Sequence, residues 1–204
     1  MNRRYEAAKR AFDIGLGACF GAVASPLLAA IAIAIKLDSH GPVLFRQERV
    51  GRHGQPFQIV KFRTLVDEPA RRPSDYLISA TDVRITRVGA FLRRWSLDEL
   101  PQLWNVLRGD MSIVGPRPTL GYQVEQYDDF QRRRLEVPPG VTGWAQIAGR
   151  NVLTWPERIK LDVWYVDHRS FMLDLRILLA TVPTLFRPSS IYNDAQADWG
   201  ERPS

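Results

Sequence analysis

The chain has 204 residues, a formal net charge of +6 and a pI near 9.8. That length allows one domain with a substantial core and hardly two, so we look for a single site. The positive charge favours an anionic partner, but it does not choose among nucleic acid, an acidic membrane surface and a phosphorylated small molecule. The single cysteine, Cys19, excludes an intrachain disulfide, and the sequence contains neither a zinc-ligand cluster nor a glycine-rich nucleotide fingerprint.

The first predicted element is an uncharged apolar run from Ile14 to Ile35. A straight helix of that length, at about 1.5 Å per residue, just crosses a hydrocarbon core of roughly 30 Å. Pro26 removes a backbone donor in the middle of the run and predicts a bend, and Ser25 can satisfy the backbone group that the proline frees. Each half of a bent helix would be too short to span the membrane.

Basic residues flank this run on both sides. They are Arg3, Arg4, Lys9 and Arg10 before it, and Lys36, Arg46, Arg49 and Arg52 after it. A spanning helix normally shows an asymmetry of Lys and Arg, so the balanced flanks indicate that both ends are cytoplasmic. We therefore predict a re-entrant helix, kinked at Ser25 and Pro26, over residues 1–38. A secretory signal peptide and a plain single-span helix are the alternatives.

A β-hairpin is predicted next, because VLFRQERVG and PFQIVKFRTL flank the turn-like RHGQ. In the second strand a period of two places Phe57, Ile59, Lys61 and Arg63 on one face. Two cations beside two apolar residues indicate the rim of a pocket, although an edge strand with solubilising charges has the same pattern. Residues 67–75, rich in Pro and Arg, predict a mobile connection.

Two adjacent carboxylates, Asp98 and Glu99, open the stretch that follows. A helix is predicted from about residue 97 to residue 107, and Pro101 is tolerable only in its first turn, so the acid pair lies at its N-terminus. Ser96 and Glu99 also match a capping box. On local grounds the pair is therefore either a helix cap or a reaction centre.

Several arginines surround this pair in the sequence. Arg93 precedes it, Arg117 is the charged residue of the stiff GPRP turn, and Arg150 follows a glycine-rich loop. A rigid backbone around one arginine suits oriented recognition of phosphate, with a structural turn as the alternative.

The C-terminal part predicts two more helices and a tail. One helix opens at Thr154 and Glu157 by the capping-box rule. The apolar segment 171–186 is interrupted by charges and a proline, so we predict that it lies at a membrane interface instead of spanning the bilayer. Residues 188–204 are predicted to be disordered.

Taken together, these motifs resemble the bacterial sugar transferase family, the monotopic phosphoglycosyl transferases. The resemblance is carried, in order, by KRAFD, the Ser25–Pro26 run, GPVLFRQERVG, VKFRTL, RITRVGAFLRRWSLDELPQLWNVLRGDMSIVGPRP and PGVTGWAQIAGRN, which cover nearly the whole chain. Leu65 departs from the family, in which methionine is frequent after KFRT, and no ionisable position is affected.

The resemblance implies transfer of a hexose-1-phosphate from a UDP-sugar to polyprenyl (undecaprenyl) phosphate, with release of UMP. Such a reaction would begin bacterial glycoconjugate or exopolysaccharide assembly at the cytoplasmic face of the inner membrane. The implied fold is a mixed α/β one. A compact catalytic domain of helices with a small β-hairpin, over residues 39–187, is anchored by the re-entrant helix and by interfacial amphipathic helices, which contact membrane lipid.

The resemblance also assigns roles at the site. Asp98 and Glu99 match the catalytic pair, and we expect Asp98 to attack phosphorus while Glu99 acts as a base or through a metal. Magnesium is expected at both carboxylates, because diphosphate and carboxylate charges converge there. The expected phosphate-binding residues are Lys61, Arg63, Arg93, Arg117 and Arg150.

Two rival functions fit parts of the sequence. A membrane-associated glycosyltransferase would release UDP in place of UMP, but the YDD at residues 127–129 is not a convincing DxD metal motif. A membrane-tethered nucleic-acid-binding or scaffolding protein would explain the basic pI, yet the cations flank acidic residues and rigid turns and form no stripe with stacking aromatics, so we expect no nucleic acid. The sequence leaves open which sugar is transferred and whether the chain forms a homodimer.

Overall fold

A computed structural model of the chain describes residues 3–66, 82–149 and 153–185. The predicted connection at residues 67–75, Arg150 and the predicted tail lie outside these ranges. The helices are α1 (Arg3–Asp38), α2 (Arg87–Arg94), α3 (Gln102–Arg108), α4 (Gly121–Glu125), α5 (Asp129–Arg132), α6 (Trp144–Ala148), α7 (Trp155–His168) and α8 (Phe171–Leu185). The strands are β1 (Leu44–Val50), β2 (Pro56–Phe62), β3 (Ser112–Val114) and β4 (Gly140–Thr142), and short 3₁₀ turns cover Arg52–Gly54, Leu97–Glu99 and Arg133–Glu136. The mixed, helix-rich fold with a small hairpin is as predicted.

The predicted apolar helix is α1, which is long and apolar enough to cross a membrane by length and composition. It continues through Pro26 for a total of 36 residues. Pro26 cannot donate to the carbonyl of Ala22, four residues back, and the hydroxyl of Ser25 donates to that carbonyl over 2.8 Å. The predicted compensation by Ser25 is therefore confirmed, whereas the bend at Pro26 stays a prediction.

The N-terminal part of α1 is held by the rest of the fold. The guanidinium of Arg10 donates to the carbonyls of Val106 and Leu107, over 2.5 and 2.8 Å, at the C-terminal end of α3. The buried carboxylate of Asp13 accepts the backbone N–H of Ile113 over 3.1 Å. These bonds fix the first third of α1 against α3 and β3.

The C-terminal end of α1 is held by the same fold. The carboxylate of Asp38 accepts the backbone N–H of Val88 at the start of α2, over 2.9 Å. Ile31 and Ile35 are buried against Phe62 of β2 and Leu92 of α2. Both ends of α1 therefore contact one folded unit.

The hairpin is antiparallel, with Leu44 opposite Phe62 and Val50 opposite Pro56. Side chains of directly paired residues lie on the same face of the sheet. Ile59 and Lys61 therefore share one face with Gln47 and Phe45, the residues opposite them on β1. The predicted face of β2 is thus confirmed as far as the strand extends. Ile59 is buried in the main core, while Lys61 reaches away from it.

A second strand pair, β3 and β4, is parallel and was not predicted. It brings two backbones together at glycines: a Cβ on Gly140 would lie 2.1 Å from the nitrogen of Gly115. No side chain fits such an approach, so both positions need glycine. This contact fixes the start of the GPRP turn against β4. The main core consists of buried apolar residues from several elements: Ile59, Val106, Met111, Ile113, Val114, Val137, Tyr165, Val166 and Ile177.

Candidate active site

The acid pair lies in the 3₁₀ turn Leu97–Glu99, between α2 and α3. Ser96 enters this turn with a φ of 55°, in the left-handed region, which is uncommon for a residue other than glycine. Its side chain makes no capping hydrogen bond. The predicted capping box is therefore wrong, and the physical reason is that the carboxylate of Glu99 is bound by cations from other elements.

Two cations bind Glu99. Its Oε1 accepts a hydrogen bond from Nζ of Lys61 over 2.7 Å and one from Nη2 of Arg117 over 2.7 Å. Nη1 of Arg117 donates to Oε2 over 3.3 Å. Burial would raise the pKa of Glu99, but Arg117 and then Lys61 more than offset it and hold that pKa well below its usual range.

Asp98 has a different environment from its neighbour. Within the described ranges, no group donates a hydrogen bond to its carboxylate. Burial raises the pKa of Asp98 to about 6, the charge of Glu99 adds to that increase, and the charges of Lys61, Arg93 and Arg117 limit it. Glu99 is thus anchored and fully ionised, while Asp98 is a partly exposed carboxylate near cations that are bound to other groups.

Arg93 reaches the site from α2. Its Nε donates to the hydroxyl of Thr64 over 2.8 Å, just after the end of β2. The two backbones are in close contact there, since a Cβ on Gly89 would lie 2.1 Å from the carbonyl oxygen of Thr64. This contact places Arg93 where its charge acts on Asp98.

Three of the five predicted phosphate-binding residues are therefore brought together around the acid pair: Lys61, Arg93 and Arg117. Arg63 is not among them. It lies one residue beyond the last residue of β2, is buried, and donates to the carbonyls of Ser39 and His40 at the end of α1. Arg63 therefore holds α1 to the hairpin in this structure, and Arg150 lies outside the described residues.

One cation near the site was missed. Arg49 of β1 was interpreted only as part of a basic flank, but its charge interacts with those of Arg117 and Glu99. Burial, followed by repulsion from Arg117, lowers the pKa of Arg49 to about 10. The period-two pattern that identified Lys61 on β2 would have identified Arg49, had it been extended across the hairpin.

The acid pair is also a candidate magnesium site. Among the described residues, no three His, Cys, Asp or Glu side chains cluster as a metal cage. Magnesium, however, usually takes one or two carboxylates and completes its shell with water and substrate phosphates. Asp98 has free carboxylate oxygens and Oε2 of Glu99 makes one long contact, so the pair fits a magnesium ion that phosphate would help to hold.

Comparison with known proteins identifies the family. The profile of the bacterial sugar transferase family matches residues 4–188. The chain belongs to this family. It is 47% identical over 174 residues to the uncharacterized sugar transferase EpsL of Bacillus subtilis, covering 85% of each chain.

Two further relatives are named as UDP-glucose:undecaprenyl-phosphate glucose-1-phosphate transferases. The one from Caulobacter vibrioides is 43% identical over 198 residues, which is 90% of this chain and 72% of that protein. The one from Escherichia coli is 44% identical over 184 residues, which is 85% of this chain but only 39% of that longer protein. The predicted family and the predicted enzyme class, a phosphoglycosyl transferase, are confirmed.

Proposed function

We propose that this enzyme transfers a hexose-1-phosphate from a UDP-sugar to undecaprenyl phosphate and releases UMP, at the cytoplasmic face of the inner membrane. The names of its relatives supply the substrate classes. The observation that carries the proposal is the difference in hydrogen bonding between the two acids. Glu99 is bound by Lys61 and Arg117, whereas Asp98 offers an open carboxylate in the same cationic surroundings.

In the first step an oxygen of Asp98 attacks the β-phosphorus of the UDP-sugar. The bond from that phosphorus to the oxygen that bridges the two phosphates breaks, and UMP leaves with the bridging oxygen. The sugar phosphate is then bound to Asp98 as an acyl phosphate. Lys61, Arg93 and Arg117 reduce the repulsion between carboxylate and diphosphate, and a pKa near 6 leaves Asp98 ionised at neutral pH.

In the second step a phosphate oxygen of the lipid attacks the same phosphorus. The bond to Asp98 breaks, the carboxylate is restored, and the sugar is left on a polyprenyl diphosphate. Glu99 keeps its two cations in place through both steps, because its pKa lies far below neutral pH.

The proposal includes a magnesium ion, because the two carboxylates offer it oxygen ligands. Asp98 and Oε2 of Glu99 would hold it, and when bound it would neutralise charge on the phosphate oxygens. The chain's own residues orient the phosphates around it.

The contacts of α1 support the proposed membrane arrangement. Both of its ends are bonded to one folded unit, through Arg10 and Asp13 at one end and Asp38 at the other. Ends held by one domain favour the re-entrant arrangement, in which a lipid phosphate reaches the site from the membrane. The outward face of α8 adds a candidate interfacial surface made of the exposed Met172, Leu175, Leu179 and Val182.

Nucleotide-product analysis tests the proposal. Purified protein with magnesium, undecaprenyl phosphate and a panel of UDP-sugars should release UMP with one of them, and without lipid it should gain the mass of one hexose phosphate at Asp98. The Asp98→Asn protein should do neither. It should remain folded, since the amide removes a carboxylate whose raised pKa destabilises the folded state at neutral pH.

Release of UDP would support the rival glycosyltransferase reaction and contradict the proposal. Near-normal UMP release by folded Asp98→Asn protein would contradict the covalent intermediate. It would favour direct attack of the lipid phosphate on the β-phosphorus of the UDP-sugar.

A further inference from the structure

Among the described residues, no carboxylate forms a salt bridge or a hydrogen bond with Arg49, although the charge of Glu99 acts on it. Its one hydrogen-bonding partner among the described residues is the side-chain oxygen of Gln47, which accepts from Nη2 over 2.6 Å. Its Nε is buried and makes no hydrogen bond. Arg134, a fully buried arginine, also has an Nε without a hydrogen bond among the described residues, but its Nη2 is paired with Asp162.

The hairpin register places Arg49 on the face that carries the site. Arg49 is opposite Phe57 and Gln47 is opposite Ile59, two positions along from Lys61, so these side chains share one face of the sheet. Lys61 on that face binds Glu99 over 2.7 Å.

The backbone places Arg49 next to the loop of Arg117. The N–H of Val50 donates to the carbonyl of Thr119 over 2.9 Å, which joins the end of β1 to the residues that follow Arg117. The charges of Arg117 and Glu99 both act on Arg49. Arg49 therefore lies on the side of Glu99 where Arg117 lies.

This arrangement is unfavourable without an anion. A half-buried guanidinium loses hydration, and here it gains one hydrogen bond to a neutral amide and an attraction to Glu99 that is smaller than the repulsion from Arg117. A planar guanidinium with an unused Nε–H is suited to two parallel hydrogen bonds to a phosphate.

We propose that Arg49 and Arg117 together bind the phosphate group of the nucleotide that leaves, so that Arg49 is a substrate-binding residue of this site. The inference rests on the proposed function. Lys61 and Arg117 both bind Glu99, beside the acid that would attack phosphorus. Arg49 instead donates to Gln47 of its own strand and lies next to the loop that follows Arg117. We therefore assign Arg49, with Arg117, to the nucleotide's own phosphate and not to the attacked phosphorus.

The test compares Arg49→Met with Arg46→Met in the full-length protein. Arg46 is exposed and, in the same strand, points to the opposite face of the hairpin. UMP binding is measured by isothermal titration calorimetry, the melting temperature is measured without ligand, and the KM for undecaprenyl phosphate is measured separately. Loss of a charged hydrogen bond should weaken UMP binding by about tenfold to a hundredfold in Arg49→Met, with no change in Arg46→Met.

The melting temperature separates binding from structure. Removal of a half-buried charge that is repelled by Arg117 should leave the ligand-free Arg49→Met protein at least as stable as wild type. A clear decrease in melting temperature would overturn the inference in favour of a structural role. Arg49→Lys is the second variant. It keeps the charge without the planar fork and should bind UMP several-fold more weakly at unchanged stability.

Two further results would overturn the inference. One is wild-type UMP affinity in Arg49→Met, and the other is a raised KM for the lipid phosphate with UMP affinity unchanged, which would assign Arg49 to the acceptor. Failure of the proposed function is distinguishable, because product analysis of the wild-type protein would then show no release of UMP. The Asp98→Asn protein should still bind UMP, so an error in the nucleophile assignment does not affect this measurement.

Discussion

Asp98 and Glu99 are adjacent in the chain, yet their pKa values shift in opposite directions. The difference arises from partners far away in sequence, since Lys61 and Arg117 are 38 and 18 residues from Glu99. Both cations donate to Glu99, so burial dominates at Asp98. The sequence alone identified both acids as candidates, but it could not show which of them the cations would bind.

The raised pKa of Asp98 predicts an acid limit to activity. In the proposed reaction Asp98 must be ionised to attack phosphorus, and its pKa of about 6 means that protonation begins well above the usual range of an aspartate. We expect kcat/KM, which reports on the free enzyme, to fall by about tenfold for each pH unit below the midpoint. A profile measured between about pH 4.5 and pH 8 checks this, and constant kcat/KM down to about pH 5, as for an ordinary aspartate, would contradict it.

Two variants provide opposite controls for that profile. Lys61→Met removes a cation that lowers the pKa of Asp98, so the acid midpoint should move to higher pH. Glu99→Gln removes a like charge that raises this pKa, so the midpoint should move to lower pH. The comparison uses midpoints because both changes also reduce the maximal rate.

At the scale of elements, patterns that are local in sequence predicted the structure and long-range pairings did not. The apolar run predicted α1, alternation predicted the hairpin, and Thr154 with Glu157 predicted the start of α7, where Glu157 accepts the N–H of Thr154 over 2.8 Å. The strands β3 and β4 have three residues each, too few for a periodic signal, and their pairing depends on close contact between glycines. Ser96 failed as a cap because tertiary ion pairs prevailed over a local motif.

The bond from Ser25 to Ala22 predicts an energetic coupling within α1. Ser25→Ala should destabilise the protein by about 1 kcal/mol, because it leaves the carbonyl of Ala22 without a donor in the proposed membrane surroundings of α1. In a Pro26→Ala background the backbone N–H at residue 26 supplies that donor, so the same serine change should be nearly neutral. The coupling is measured by thermal unfolding, in one detergent, of wild type, the two single variants and the double variant. Equal effects of Ser25→Ala in both backgrounds would contradict it.

At the scale of the whole molecule, α1 contacts the folded unit at both ends. Arg10 and Asp13 bind α3 and β3, and Asp38 binds α2. A straight helix of 36 residues is about 54 Å long, much more than one hydrocarbon core requires. A plain spanning helix would place its two ends on opposite sides of the membrane and would break one set of these bonds.

The last prediction is that both ends of α1 face the cytoplasm. Ala8 and His40 are exposed and lie near the two ends, so single cysteines there, with Cys19 changed to Ser, report on each side separately. A cysteine in place of the exposed Glu125, in α4, reports the side of the catalytic domain. An impermeant thiol reagent should label none of the three in intact spheroplasts and all three in inverted membrane vesicles. Labelling of Ala8→Cys alone in spheroplasts would establish a spanning helix, in which case the bonds of Arg10 and Asp13 could not form in the membrane.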